Sequence, residues 1–499
     1  MRAAPAAGVA ATAGVVSSLA FDPVAAPFAM LVALAVLIAV LRAVPDVSWR
    51  GVVLVGLAFG LGFMVPLVVW MRAVSDGAYV GLAVGEAVLV MVVVLVMRAV
   101  ATAPGWPVWT AAAWTAGEVL RGGFPFTGFP WGRLAHTAID TPFEAWVRVL
   151  GMTGLTFLMA LTAAGLVVLA TGPGGRHRAG AAVTVAASVA VGALLPTGLA
   201  SPAGTRQVAI VQGGVPGEFL DWPRGEIFTL HADATERLVD RVATGESPAP
   251  DFVLWPENST DIDPNFDRRV RERIEQLADD LDAPILVGGI FDGPTVDTSY
   301  NAGVVWTADG PGDRYVKRKP VAYGEYVPFR SSLGSLVPRI DRDIPRDMLA
   351  GETSGALDIG NTRIGDTICY DIAYDGVVRD AVDDGAQLIV VQTSNAAFSN
   401  TAQPEQQWDI SRLRAIETGR FVLVPSTNGI SGVVDATGTS VQRAPYDTPT
   451  VIDAEVTLAS GLTPAVRWGG WIEAAIVLTA LAGWAMAIVR RRDAGAVPA

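Results

Sequence analysis

"TRIGDTICYD", Thr362 to Asp371, is a short β-branched run that ends on Cys369, the one cysteine among 499 residues. Runs of this length and composition, closed by polar residues, read as β-strands. A cysteine at the end of such a strand has two ordinary fates: a small buried hydrophobe, or a nucleophile helped by a base or a cation. The sequence around it chooses between them.

Similar runs surround it: "RQVAIVQGGV", "DFVLWPEN", "APILVGGIF", "YNAGVVWTADG", "AQLIVVQTSN" and "RFVLVPSTNG". Between them lie helix-like stretches at Ile227 to Val242, Phe266 to Leu281, Ile372 to Asp384 and Pro404 to Thr418. Strands alternating with helices predict a layered α/β domain whose loops, at the strand ends, carry the chemistry.

That domain is acidic. From Ser201 to Val466 there are 22 basic and 40 acidic residues, a net of −18, whereas the rest of the chain carries +5. An acidic water-facing domain repels phosphates, which argues against nucleic acid as a partner. One cysteine excludes an intrachain disulfide, and three scattered histidines (His136, His177, His231) make neither a metal site nor a metal cofactor the expectation.

Outside the acidic domain the chain is apolar. Eight candidate spans can be separated: Ala6 to Leu19, Phe28 to Leu41, Val52 to Trp70, Ala78 to Val96, Pro107 to Leu120, Met152 to Ala170, Ala179 to Leu194 and Trp471 to Val489. The first two and the fifth, at 14 residues each, fall furthest short of the ~20 residues a bilayer needs. If eight helices alternate, Arg2, Arg42, Arg50, Arg98, Arg176, Arg178 and Arg490 to Arg492 fall on one side, which the positive-inside rule makes the cytoplasm. The acidic domain then lies outside it. The expected organisation is a membrane domain at 1–200 with about seven transmembrane helices, an extracytoplasmic catalytic domain at 201–466, and a last transmembrane helix with a basic cytoplasmic tail at 467–499. The protein is expected in the cell membrane as a multi-pass protein, and nothing in the sequence demands more than a monomer. Glu118 and Arg121, three apart near a helix end, are expected to pair with each other, and Trp131 to sit in an aromatic belt.

Two further strand-end motifs accompany Cys369. "FVLWPENS" places Glu257 just past an apolar strand and after a proline that fixes the backbone. "RYVKRKPVAYGEYVPF" carries Lys317, with Glu325 eight residues on. The chain has 34 arginines and two lysines, Lys317 and Lys319. A lysine kept where arginine has replaced nearly all others marks a site that needs a compact ammonium. Glu, Lys and Cys supply a base, a cation and a nucleophile.

In that order the three motifs resemble the Glu-Lys-Cys triad of the carbon-nitrogen hydrolase (nitrilase) superfamily. With the apolar spans, the Gly-Glu-Tyr-Val-Pro element and "GFPW" at Gly128 to Trp131, the chain resembles one membrane branch of it, the apolipoprotein N-acyltransferases. The resemblance implies an α/β fold: a nitrilase-like αββα sandwich inserted between the seventh and eighth helices of an eight-helix transmembrane bundle. It implies catalytic Glu257 (base), Lys317 (oxyanion stabiliser) and Cys369 (nucleophile), with Glu325, Tyr370, Asp371 and Trp222 binding substrate or supporting the site. It also implies a phospholipid acyl donor, a diacylglyceryl-modified apolipoprotein acceptor, a thioester on Cys369, and no cofactor. Where the family pattern reads Cys-Tyr-Glu, this chain reads Cys-Tyr-Asp, so Asp371 is one methylene shorter.

Two other readings remain open on the residues. A membrane-tethered amidase or nitrilase-like hydrolase would release ammonia from simple amides. A catalytically idle receptor or scaffold would keep its function in Cys369→Ser.

Overall fold

The computed structural model describes residues 3–44, 47–217, 222–330 and 344–495, with side chains as far as Arg490. It divides into two compact units, Met1–Pro196 with Arg467–Ala499, and Thr197–Val466.

The first unit is helical: α1 (Ala3–Ser18), α2 (Ala29–Ala43), α3 (Trp49–Leu67), α4 (Asp76–Val100), α5 (Trp106–Gly123), α6 (Val147–Thr171), α7 (Gly175–Gly192) and α12 (Pro464–Gly495). Four helical stretches among the described residues are long and apolar enough to cross a membrane: α3, α4, Glu144–Thr171 around α6, and Pro464–Arg490 of α12. α1 and α2 are apolar but shorter. Small residues let α1 and α3 touch backbone to backbone: a Cβ on Gly14 would run into the Phe59 carbonyl, and one on Gly62 into that of Ala11.

Two local expectations fail here. Arg121 does not pair with Glu118; its Nε lies 2.6 Å from Glu86 Oε2 on α4, and its Nη2 donates to the Trp131 carbonyl at 2.9 Å. Glu118 instead accepts from Trp114 Nε1, the Leu134 N–H and Thr156 Oγ1, each at 2.9 Å. Spacing made the pair sterically allowed, but buried charges go to the partners that best offset their desolvation. Trp131 is buried rather than in a belt, with its ring 6.0 Å from that of Trp70.

The second unit holds two β-sheets. The first has strand order β13 (Thr450–Ala459)-β1-β2-β3-β4-β5, with β6 (Asp347–Met348) added on β4; the second runs β12 (Ser440–Arg443)-β11 (Gly432–Val434)-β10-β9-β8-β7 (Ala356–Ile359). The strands that matter here are β1 (Pro202–Gln212), β2 (Phe252–Leu254), β3 (Ile285–Asp292), β4 (Thr298–Thr307), β5 (Gly310–Val316), β8 (Thr362–Ile368), β9 (Leu388–Gln392) and β10 (Val422–Val424). β1, β2 and β3 are parallel, as are β8, β9 and β10, and antiparallel strands close each sheet.

Strand periodicity explains the stacking. Val208, Ile210, Leu254 and Leu286 of the first sheet share one core with Ile364, Ile368, Leu388, Val390 and Leu423 of the second. Their alternates Ala209, Val211, Val253 and Val287 turn outward to a second core under α8 (Glu226–Thr244) and α9 (Arg268–Leu281). α10 (Asp375–Asp383) and α11 (Gln403–Thr418) pack on the second sheet. The result is a helix–sheet–sheet–helix sandwich in which the central strands are buried on both faces, which is why they read as unbroken apolar runs. β5 was not legible as a strand, since "GPGDRYV" exposes Pro311 to Arg314.

Candidate active site

Strands from the parallel parts of both sheets deliver their ends to one place, where such sheets commonly place their chemistry. β2 leads through Trp255 and Pro256 to Glu257, β8 leads to Cys369, and β9 leads to Thr393 and Ser394. The antiparallel β5 brings Lys317.

Cys369 is the first residue after β8 and has φ 53°, in the left-handed region. For a residue with a Cβ this conformation costs on the order of 1–3 kcal/mol, and it swings the side chain out of the strand's alternation. A 3-10 turn, Cys369–Ala373, follows, and the Cys369 carbonyl accepts from Gln407 Nε2 at 3.1 Å. The residue is half-buried. Burial first, and the Glu257 charge second, push the thiol up to about 12, against the opposing pull of Lys317 and a hydrogen bond with Thr393. The resting group is therefore a thiol, and it needs a base at the moment of attack.

Glu257 is buried and tied at both oxygens: Oε1 accepts from Asn301 Nδ2 at 2.8 Å and Lys317 Nζ at 3.3 Å, and Oε2 from the Ser394 N–H at 3.0 Å. Lys317, only 2% exposed, also donates to Glu325 Oε1 at 2.8 Å. Burial disfavours its charge, but Glu257, Glu325 and the neighbouring groups outweigh that and hold it well above the usual lysine range. Lys317 is thus a fixed cation between two carboxylates. Glu325 Oε2 accepts from the Val321 N–H at 2.7 Å, which locks the loop that carries it.

Asn301, on β4, was not foreseen. It is buried, and its Nδ2 donates to Glu257 Oε1 and, at 3.0 Å, to Glu325 Oε1. The signal in the sequence was an asparagine inside "YNAGVV", since asparagine is depleted in strands. Asn301→Asp puts a third carboxyl against the other two. We expect turnover to fall by about 100-fold and stability by about 1–3 kcal/mol, the cost of an unmet buried polar group. Rate and thermal melting measure both, and an unchanged rate removes Asn301 from the site.

Asp371 is fully buried, and Lys317 Nζ donates to Glu257 and Glu325 rather than to it. Its Oδ2 accepts from Tyr315 Oη at 2.6 Å and from the Arg318 N–H at 3.4 Å, and its Oδ1 from the Lys319 N–H at 3.0 Å. It therefore grips the chain on both sides of Lys317. Burial raises its pKa, while Lys317 and the Tyr315 bond oppose the rise. Tyr370 is half-buried, its ring edge-on to Tyr374 at 5.3 Å. Trp222 is half-buried, and among the described residues no hydrogen bond joins it to Glu257, Lys317 or Cys369. Among the described residues no cluster of His, Cys, Asp and Glu is arranged to hold a metal ion.

Two family models match the chain: the apolipoprotein N-acyltransferase N-terminal domain over residues 13–165, and carbon-nitrogen hydrolase over 208–461. The apolipoprotein N-acyltransferase of Mycolicibacterium smegmatis is 34% identical over 460 residues, covering 87% of this chain and 77% of that one. That of Azotobacter vinelandii is 30% identical over 397 residues, 78% of this chain and 74% of its own. Among solved structures, a mutant Nesterenkonia amidase from the nitrilase superfamily superposes with a TM-score of 0.39 at 18% identity, over 54% of this chain and 95% of the amidase.

Proposed function

Since the chain belongs to the apolipoprotein N-acyltransferase family, with the nitrilase-like α/β fold of a carbon-nitrogen hydrolase, we propose that its acyl group passes through a thioester on Cys369, with Glu257 as base and Lys317 as oxyanion stabiliser. The enzyme is an acyltransferase of lipoprotein biosynthesis, moving an acyl chain from a lipid donor to a lipoprotein acceptor in the membrane. The observation that carries the proposed route is the single cysteine, held at a left-handed strand end within electrostatic reach of a buried glutamate and a buried lysine.

In the first half-reaction Cys369 Sγ attacks the ester carbonyl of a phospholipid while Glu257 takes the thiol proton. The S–C bond forms, and the carbonyl electrons move onto an oxygen held by Lys317 Nζ. Collapse breaks the C–O bond, and the lysophospholipid leaves with the proton returned by Glu257. In the second half-reaction the α-amino group of a diacylglyceryl-cysteine attacks the thioester and gives one proton to Glu257; the C–S bond breaks, and the Cys369 sulfur takes that proton back from Glu257 as it leaves. Lys317 is suited to its part because it stays charged throughout, and Glu325 and Asn301 hold it and Glu257 in place.

The same reading takes the helices of the first unit as an eight-helix transmembrane bundle, interrupted in sequence by the catalytic unit on the extracytoplasmic side. The arginine distribution and the apolar length of four of the helices support it. Membrane-anchored donor and acceptor then reach the thioester laterally, which favours transfer over hydrolysis.

Mass spectrometry of the purified protein incubated with phospholipid tests the route. An adduct of one fatty-acyl mass on the peptide containing Cys369 is expected, with none in Cys369→Ala. Wild-type protein that turns over without that adduct refutes the thioester.

A further inference from the structure

Directly beneath the site, in the core between the sheets, lies a carboxyl that the mechanism does not use. Asp366 on β8 is 0% exposed, and among the described residues neither of its oxygens has a hydrogen-bond partner. Gln392 on β9 is equally buried, and its Oε1 is unpartnered as well. Both oxygens face the same small gap over Gly303 of β4: a Cβ built on Gly303 would collide with Asp366 Oδ2 and with Gln392 Oε1. Turning the Gln392 amide over does not resolve this. Its Nε2 donates to the Trp255 carbonyl at 2.6 Å, and the flipped amide would set oxygen against oxygen there. Two buried acceptors converging on one gap need a proton between them.

We propose that Asp366 is a neutral carboxylic acid whose O–H donates to Gln392 Oε1, and that this bridge is a positioning device for the Glu257 and Cys369 strand ends. The chain of bonds starts at Asp366, three residues before Cys369 on β8, and runs through Gln392 on β9 to the Trp255 carbonyl in the other sheet. Trp255 is followed by Pro256 and Glu257, and Gln392 by Thr393 and Ser394, whose N–H donates to Glu257 Oε2. The bridge therefore joins the strand that carries the nucleophile, the strand that orients the base, and the base's own strand. Burial first, then the negative charges of Asp371 and Glu257, hold the Asp366 carboxyl well above the usual carboxylate range. The Thr367 N–H favours ionisation, but it lies outside hydrogen-bond geometry for the carboxyl. Tyr315, the remaining titratable neighbour, is itself pushed up, by burial first and then by Asp371 and Asp366.

The inference rests on Glu257 and Cys369 being the reacting pair, and its test separates the two. In the full-length protein, isotope-edited infrared spectra at neutral pH should show a protonated aspartic acid band that disappears in Asp366→Asn. Asparagine can still donate to Gln392 Oε1, so Asp366→Asn should keep kcat within about threefold and leave the acid limb of the pH profile in place. Asp366→Ala should lose about tenfold or more in kcat at unchanged KM, the worth of one buried hydrogen bond. Absence of the band overturns the proposal, as a bridging water beside an ionised carboxylate would produce. So does an acid limb that moves to lower pH in Asp366→Asn, or a loss there as deep as in Asp366→Ala. If Asp366→Ala does not fold, the band and Asp366→Asn decide alone. An acyl adduct that persists in Cys369→Ala would refute the thioester route and leave the infrared result standing.

Discussion

Glu257→Gln is expected to slow acylation of Cys369 by about 10²–10⁴-fold, the usual contribution of a positioned general base. The size follows from the thiol. With its pKa pushed up to about 12, Cys369 stays a thiol at pH 7, so turnover depends on a base that removes the proton during attack. Glutamine preserves the shape, and its amide can still meet Lys317 or the Ser394 N–H, so the fold should persist. The sign of a second effect is opposite. After burial, the Glu257 charge is the next cause of the raised thiol pKa, so its removal makes the thiol more acidic. Alkylation of Cys369 by iodoacetamide should therefore move to lower pH in Glu257→Gln while acyl transfer collapses. If both rates fall together, Glu257 acts on structure and not as the base.

Lys317→Met carries the other large effect, on stability as well as on rate. Lys317 sits between Glu257 Oε1 at 3.3 Å and Glu325 Oε1 at 2.8 Å, and removal of the cation leaves a buried and a half-buried carboxylate facing each other. Breaking a buried ion pair by deleting one partner costs about 3–5 kcal/mol. Loss of an oxyanion donor removes about 10²–10³ in kcat. Because Lys317 opposes the rise in the Cys369 pKa, its loss shifts alkylation to higher pH, opposite to Glu257→Gln. The double variant Lys317→Met with Glu325→Gln should regain part of the thermal stability and none of the rate. Recovery of rate in the double variant would show that Lys317 serves only to neutralise Glu325.

Much of the site was legible in the sequence because it rests on residue types rarely placed without cause. One cysteine and two lysines in 499 residues drew attention to Cys369 and Lys317, and the proline before Glu257 marked a strand end. The alternation of strands and helices was equally legible, since burial on both faces of a central strand leaves an apolar run that no other element of that length requires. Less was legible where a residue's meaning depends on its partner. Asn301 stands 44 positions from Glu257 and 24 from Glu325, and Asp371 stands 56 from Tyr315.

From the amino-acid order alone came the α/β layering, the apolar spans, and the proposal of Glu257, Lys317 and Cys369 as a base, a cation and a nucleophile. Only the tertiary structure decided which groups each of them touches. It showed that Asp371 grips the chain beside Lys317, that Asn301 links two glutamates, that Arg121 reaches Glu86 and passes over Glu118, and that oxygens of Asp366 and Gln392 both lie over Gly303. The reason is physical: periodicity records which face of an element is buried, a local property. Hydrogen-bond partners in a core are chosen by how two sheets stack, which depends on contacts among residues far apart in the chain.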